Sequence, residues 1–194
     1  DDNLLRPPML GRLVAVLDTN RDADVVHADF MLIDETGAEL GLSRVGPIDR
    51  LLYGNNVGAC FLYRAQVTEA LGGYDTRLFG VEDYDFWLRA APRFTFLPLH
   101  EDLYRYRKHG GSLTSQRAEH IQALTARIVE RALPATLPAR SRSEILLGLA
   151  LRSLQRWRIA LVRRAFRADP RYVAGQLPAL ARWSLVVARN RIAA

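Results

Sequence analysis

The sequence predicts an α/β fold followed by an α-helical extension, and three observations predict it. Residues 1–115 alternate short apolar strand candidates with short helix candidates, separated by glycine-bearing turns, as in a sheet covered by helices. Residues 116–194 lose that texture and carry longer stretches of helical periodicity. The whole chain of 194 residues is 49% hydrophobic and 25% charged, enough for a sizeable core and incompatible with wholesale disorder. The single cysteine, Cys60, excludes a disulfide framework and an all-cysteine metal site. No apolar run approaches the ~18 residues of a membrane span, and no signal-peptide pattern is visible.

Each element has a local reason. Pro7 and Pro8 precede Met9 to Leu17, which reads as a helix with proline in its first turn. Val25 to Ile33 is a strand candidate, Asp34 to Gly37 a turn, and Ala38 to Leu42 a returning strand. Pro47 opens a short helix over Ile48 to Tyr53. Gly58 to Tyr63 reads as a buried strand. Ala65 to Leu71 is a helix stopped by Gly72 and Gly73. Tyr84, Trp87, Leu88 and Ala91 then share one helical face, with Glu82, Asp83 and Asp85 in the first turn and Pro92 at the end. Phe94 to Leu97 and Leu103 to Arg107 read as two strands, and Lys108 to Ser112 as a loop. Beyond Ser115 the pattern predicts a helix over Gln116 to Leu133 and a connector over Pro134 to Pro138. A second helix opens at Ser143-Glu144 and runs to about Arg167. Asp169-Pro170 breaks it, and a third reaches about Arg191 with Pro178 as a kink.

The net charge of +6 conceals a division. Residues 1–115 hold 12 basic and 17 acidic side chains, net −5, whereas residues 116–194 hold 15 and 4, net +11. Such asymmetry points to a basic region meeting an anionic partner. Trp157, Trp183, Leu149, Leu161 and Val186 alternate there with Arg152, Arg156, Arg163, Arg164 and Arg189. Basic amphipathic helices with tryptophan suit peripheral contact with an anionic membrane. A helical appendage with its arginines in water is the competing reading. No nucleic-acid reader motif is present, and no nucleic-acid partner is expected.

Four groups of residues carry candidate chemistry. Asp1-Asp2-Asn3 offers adjacent carboxylates to a hard divalent cation, or simply negative charge before a helix. Glu82-Asp83 follows a glycine-bearing loop; a carboxylate there is either dipole compensation or a general base toward a hydroxyl. His109 sits among Tyr106, Arg107, Lys108, Gly110, Gly111 and Ser112, a setting suited to phosphate contact or metal ligation. Gly58-Ala59-Cys60 gives small side chains on a strand, for close ligand approach or for tight packing. His27, His100 and His120 lack comparable context and read as structural.

Order and spacing add what the separate groups lack. Asp1-Asp2-Asn3, Pro8, Asn55-Asn56, GACFLYR over 58–64, GGYD over 72–75, EDYDFWLR over 82–89 and YRKHGGS over 106–112 occur in this order. The set resembles the family-2 inverting glycosyltransferases of the GT-A fold, over about residues 1–115. The resemblance implies the C-terminal half of a Rossmann-like sheet beginning at the family's DxD-type acidic motif. Residues 116–194 then form an arginine-rich helical extension. It implies transfer of a sugar from a nucleotide-diphosphate donor to an acceptor hydroxyl, in bacterial cell-surface polysaccharide or glycolipid synthesis. Under it Asp2 and His109 hold Mn²⁺ or Mg²⁺. Asp83 is the catalytic base, and Asp1, Gly58, Ala59, Arg107 and Ser112 border the donor. Glu82 and Trp87 border a saccharide or lipid-linked acceptor. The family's nucleotide-holding first half has no counterpart here, so the chain is expected to be part of a longer enzyme. The expected location is cytoplasmic, with peripheral attachment to the inner membrane face. The alternative is a non-catalytic binding or membrane-recruitment module.

Overall fold

The computed structural model describes residues 3–111, 117–152 and 158–178. They belong to two units, Asp1–Ala132 and Leu133–Ala194.

The first unit is organised around β2 (Val25–Ile33), whose β-branched and aromatic run favours extended backbone. Parallel to it lies β5 (Phe96–Arg107), and β1 (Leu4–Leu5) adds antiparallel to β5. The opposite edge of β2 is shared by two antiparallel strands. β4 (Cys60–Tyr63) covers Val25 to Ala28, and β3 (Glu39–Ser43) covers Phe30 to Ile33. A mixed sheet of five strands results, compatible with a Rossmann-like α/β fold.

Alternation along β2 separates two faces. Val26 and Ala28 meet Met9, Leu13, Val16 and Leu17 of α1 (Met9–Thr19), a stripe at helical spacing. The other face is aromatic. Trp87 and Phe86 of α3 (Glu82–Ala90) pack with Phe61, Tyr63 and Phe96, the Trp87 and Phe61 rings meeting edge-on at 4.8 Å. Helices thus lie on both faces of the parallel pair, as its two apolar sides require. Between β4 and α3, α2 (Ala65–Leu71) ends at Gly72, whose φ of 76° is the left-handed cap glycine accepts without strain.

Three expectations need correction in detail. The two strands expected over 94–107 are one strand, β5. Two steps along β2, from Ala28 to Phe30, match five along β5, from Leu99 to Tyr104. The excess bulges over His100 to Leu103, where polar residues interrupt the apolar pattern on which the sequence reading split it. The short helix over Ile48 to Tyr53 is of the tighter 3₁₀ form. Leu4–Leu5 forms a strand the sequence did not announce.

The change in charge after Ser115 does not mark the edge of the first unit. α4 (Ala118–Ala132) belongs to it. The Asp85 carboxylate, only 3% exposed, accepts from Arg89 Nε at 2.9 Å and from Arg131 of α4. Arg89 also donates to the carbonyls of Leu71 and Gly73, so one buried carboxylate gathers α2, α3 and α4.

In the second unit, α5 (Ala139–Arg152) begins four residues before the expected Ser143. Its Ile145, Leu146, Leu149 and Ala150 are buried, as are Leu161 and Ala165 of α6 (Arg158–Ala168). The buried Ser143 hydroxyl donates to the Ala165 carbonyl at 2.9 Å, fixing the register of the pair. Residues 170–178 continue as helix, and Asp169 accepts from the Tyr172 amide at 2.9 Å as its cap. Residues 153–157, through which the second helix was expected to run unbroken, and the third helix beyond 178 lie outside the described residues. Among the described residues no helix is long and apolar enough to cross a membrane.

Candidate active site

Asp83 stands in the first turn of α3, after a loop that turns at Gly80 with φ 94°. The Gly80 amide donates to Glu82, so that carboxylate folds back and closes the loop it follows. Asp83 Oδ1 accepts from the Tyr84 amide at 2.6 Å, and Oδ2 accepts from Asn55 Nδ2 at 3.1 Å. Two bonds therefore fix the carboxylate, one from its own helix and one from a loop 28 residues earlier.

That loop is held from several sides. The Tyr84 hydroxyl donates to the Leu51 carbonyl, tying α3 to the 3₁₀ turn that leads to Asn55. Asn56 donates through its side chain to the Pro47 carbonyl, and the Gly46 amide donates to the Asn56 carbonyl at 3.1 Å. Asn55 thus reaches Asp83 from a braced position.

Partial burial pushes the Asp83 carboxyl above its ordinary range. The Tyr84 amide opposes this, the neighbouring Glu82 charge reinforces it, and the Asn55 amide opposes it again. A carboxylate kept half-desolvated and oriented by two donors is a better proton acceptor than one in water. Close by, the Tyr74 phenol is raised to about 12, chiefly by burial, with Tyr63, Asp83 and Glu82 adding to it. Tyr74 as a whole residue is nonetheless 43% exposed, its ring edge-on to Phe86 at 5.0 Å, and Phe79 is 53% exposed with the Arg117 guanidinium 5.5 Å from its ring centre. Two accessible aromatic residues thus lie in the segment that leads into α3.

The other expected site residues fall differently. Trp87 does not border an acceptor space: it is fully buried among Phe61, Tyr63, Phe86 and Phe96. It faces the sheet because the apolar stripe of α3 is the stripe that packs. The space beside Gly58 is taken by the Phe30 ring; a Cβ built there would lie 2.5 Å from it. Gly58 therefore serves packing and a φ of 76°, and half-buried Ala59 follows it into β4. Arg107, at the end of β5, donates to the carbonyls of Asp34 and Glu35 at 2.8 and 2.9 Å. Its own amide donates to Asn3 Oδ1 at 2.9 Å. It fastens the β2–β3 turn to the start of the chain. His109 is half-buried just past β5, and a Cβ on Gly111 would lie 3.2 Å from its Nδ1. Asp1, Asp2 and Ser112 lie outside the described residues.

Asn55, which bonds Asp83, and Tyr74 and Phe79, which precede α3, were not among the expected site residues. Asn55 and Tyr74 stand inside segments that carry the resemblance; Phe79 had no signal beyond its place in the loop. Of the histidines read as structural, His27 is fully buried, and burial lowers its pKa to about 4. His100 Nδ1 lies 3.3 Å from Asp29 Oδ1, which also accepts from the Val45 amide.

No protein-family model matches the chain, and no curated protein matches it in sequence.

Proposed function

We propose that the first unit serves inverting transfer of a sugar from a nucleotide-diphosphate donor to an acceptor hydroxyl, with Asp83 as the general base. The observation that carries this reading is the setting of Asp83: half-buried, raised in pKa and fixed by Asn55 and the Tyr84 amide. Asp83 takes the acceptor hydroxyl proton as that oxygen bonds to the anomeric carbon. The bond to the nucleoside diphosphate breaks on the opposite face, so one displacement inverts the centre. Tyr74 and Phe79 offer apolar ring faces against which a saccharide or lipid-linked acceptor would lie. Glu82 braces the loop from which Phe79 projects.

Mn²⁺ or Mg²⁺ belongs to the proposal through Asp2 and His109. Carboxylate and imidazole donors suit either ion, which when bound would offset the charge of the departing diphosphate. Among the described residues no group of three or more His, Cys, Asp or Glu gathers to hold a metal, and Asp2 lies outside them.

The test is transfer of radiolabelled sugar from a panel of nucleotide-sugars by the wild type and Asp83→Asn. The substitution keeps size and the bond from the Tyr84 amide, gives up the bond from Asn55, and removes the base. Turnover is expected to fall ~10²–10⁴-fold with donor affinity unchanged. A fall of only a few-fold removes Asp83 from the role, and no transfer from any donor favours the non-catalytic module.

A further inference from the structure

We propose that the outward face of α6 is a docking surface for anionic lipid. This does not rest on the transferase reading. The face opposite the packed residues Leu161 and Ala165 carries Ile159, Arg163, Phe166 and Arg167, spaced i, i+4, i+7 and i+8. Ile159 is 60% exposed and Phe166 52%, and both arginines are exposed. Single exposed apolar residues are ordinary. Two large ones two turns apart, beside two guanidinium groups, make a helix that is apolar on both its packed and its outward side.

Charge decides the partner. Residues 133–194 hold twelve arginines against two acids, Glu144 and Asp169. Asp169 is engaged in capping the helical turn that follows α6. A second copy of this face would bring Arg163 and Arg167 against their like. A nucleic acid would accept the guanidinium groups but leave Ile159 with nothing apolar to bury against. An anionic bilayer accommodates both. Ile159 and Phe166 sink to the acyl boundary, and the arginine stems lie along them while their heads pair with lipid phosphates.

The test is co-sedimentation of the 194-residue chain with vesicles of phosphatidylcholine alone or mixed with phosphatidylglycerol. Binding is expected on the mixed vesicles, falling as salt rises. It should weaken about fivefold for each of Arg163→Gln and Arg167→Gln, and about tenfold for Phe166→Ser. Phe166→Leu should retain binding, and the exposed positions should leave the circular dichroism of every variant unchanged. Equal partition onto neutral vesicles, or none onto either, overturns the proposal. So does binding to duplex RNA that equals vesicle binding and is indifferent to Phe166→Ser. A dimer dispersed by Phe166→Ser without vesicle binding would assign the face to a second copy instead.

Discussion

Asp83 and His27 illustrate opposite consequences of taking a titratable group out of water. The Asp83 carboxyl is raised, so the folded chain prefers its protonated form and ionisation at neutral pH works against folding. Asp83→Asn in an Asn55→Ala background, where the bond it would otherwise lose is already absent, should therefore raise stability to urea at pH 7. That gain should vanish as pH falls below about 3.9, where the carboxyl is protonated folded or unfolded. If the substitution costs stability at pH 7, the desolvation argument fails. His27 runs the other way. With its pKa held at about 4, the folded chain resists a proton that the unfolded chain accepts from about 6.5 downward. Stability should decline by roughly 2 kcal/mol between pH 7 and pH 5. In His27→Leu that part of the slope should disappear, whatever the variant's absolute stability. The place of Asp83 in the first turn of α3 was legible because an acidic pair after a glycine loop is a local pattern. The burial of Trp87 was not, because a helical stripe declares that it packs but not what lies beyond it.

At the scale of elements, β4 depends on a glycine and the Asp85 group on two guanidinium groups. Gly58→Ala would set a methyl 2.5 Å from the Phe30 ring at a φ that side chains rarely adopt. A loss of about 2–4 kcal/mol is expected in chemical denaturation, from overpacking and backbone strain together. Phe30→Leu in the same chain should recover the steric part and leave the backbone part. Full tolerance of Gly58→Ala would mean that the space is not occupied and would reopen it to a ligand. Arg89→Ala should be more harmful than Arg131→Ala. Both meet Asp85, but Arg131 is 61% exposed whereas Arg89 also binds two backbone carbonyls. Removing the partner of a buried carboxylate costs about 3–5 kcal/mol, and the exposed member of the pair should cost a fraction of that. Such tertiary links escape a sequence reading. The helix that contains Arg131 was visible from its periodicity, but its charge grouped it with the tail. Similarly, Val25–Ile33 and Ala65–Leu71 were read to the residue, since each is bounded by its own turn signals. β5 was not, because the polar residues His100 to Asp102 of its bulge interrupt the apolar pattern while the backbone continues as one strand.

Across the whole first unit, the apolar surface is uneven. Leu4 and Leu5 of β1 and Leu10 and Val14 of α1 are 46–61% exposed, and Leu40 and Leu42 of β3 are 56% and 44% exposed. Among the described residues β1 and β3 are the two ends of the strand order, so Leu4, Leu5, Leu40 and Leu42 sit on strands with one side unpaired by those residues. An edge strand with apolar side chains and free backbone groups is a template for pairing with another chain. Leu10 and Val14, one turn apart, continue an exposed stripe along α1 away from its packed face. The chain is therefore expected to self-associate and to bind a hydrophobic dye in its native state. The two surfaces can be told apart because their remedies differ. A lysine on an edge strand blocks sheet extension through charge repulsion and desolvation of the ammonium. Leu40→Lys with Leu42→Lys should suppress fibrillar or sheet-like association while leaving dye binding largely intact. Leu10→Glu with Val14→Lys places an i,i+4 pair on the exposed face of α1 and should lower dye binding instead. Light scattering and dye fluorescence on the three proteins, wild type included, separate the effects. A wild-type chain that stays monomeric and dye-silent at high concentration would mean that these leucines are too dispersed to form a sticky surface.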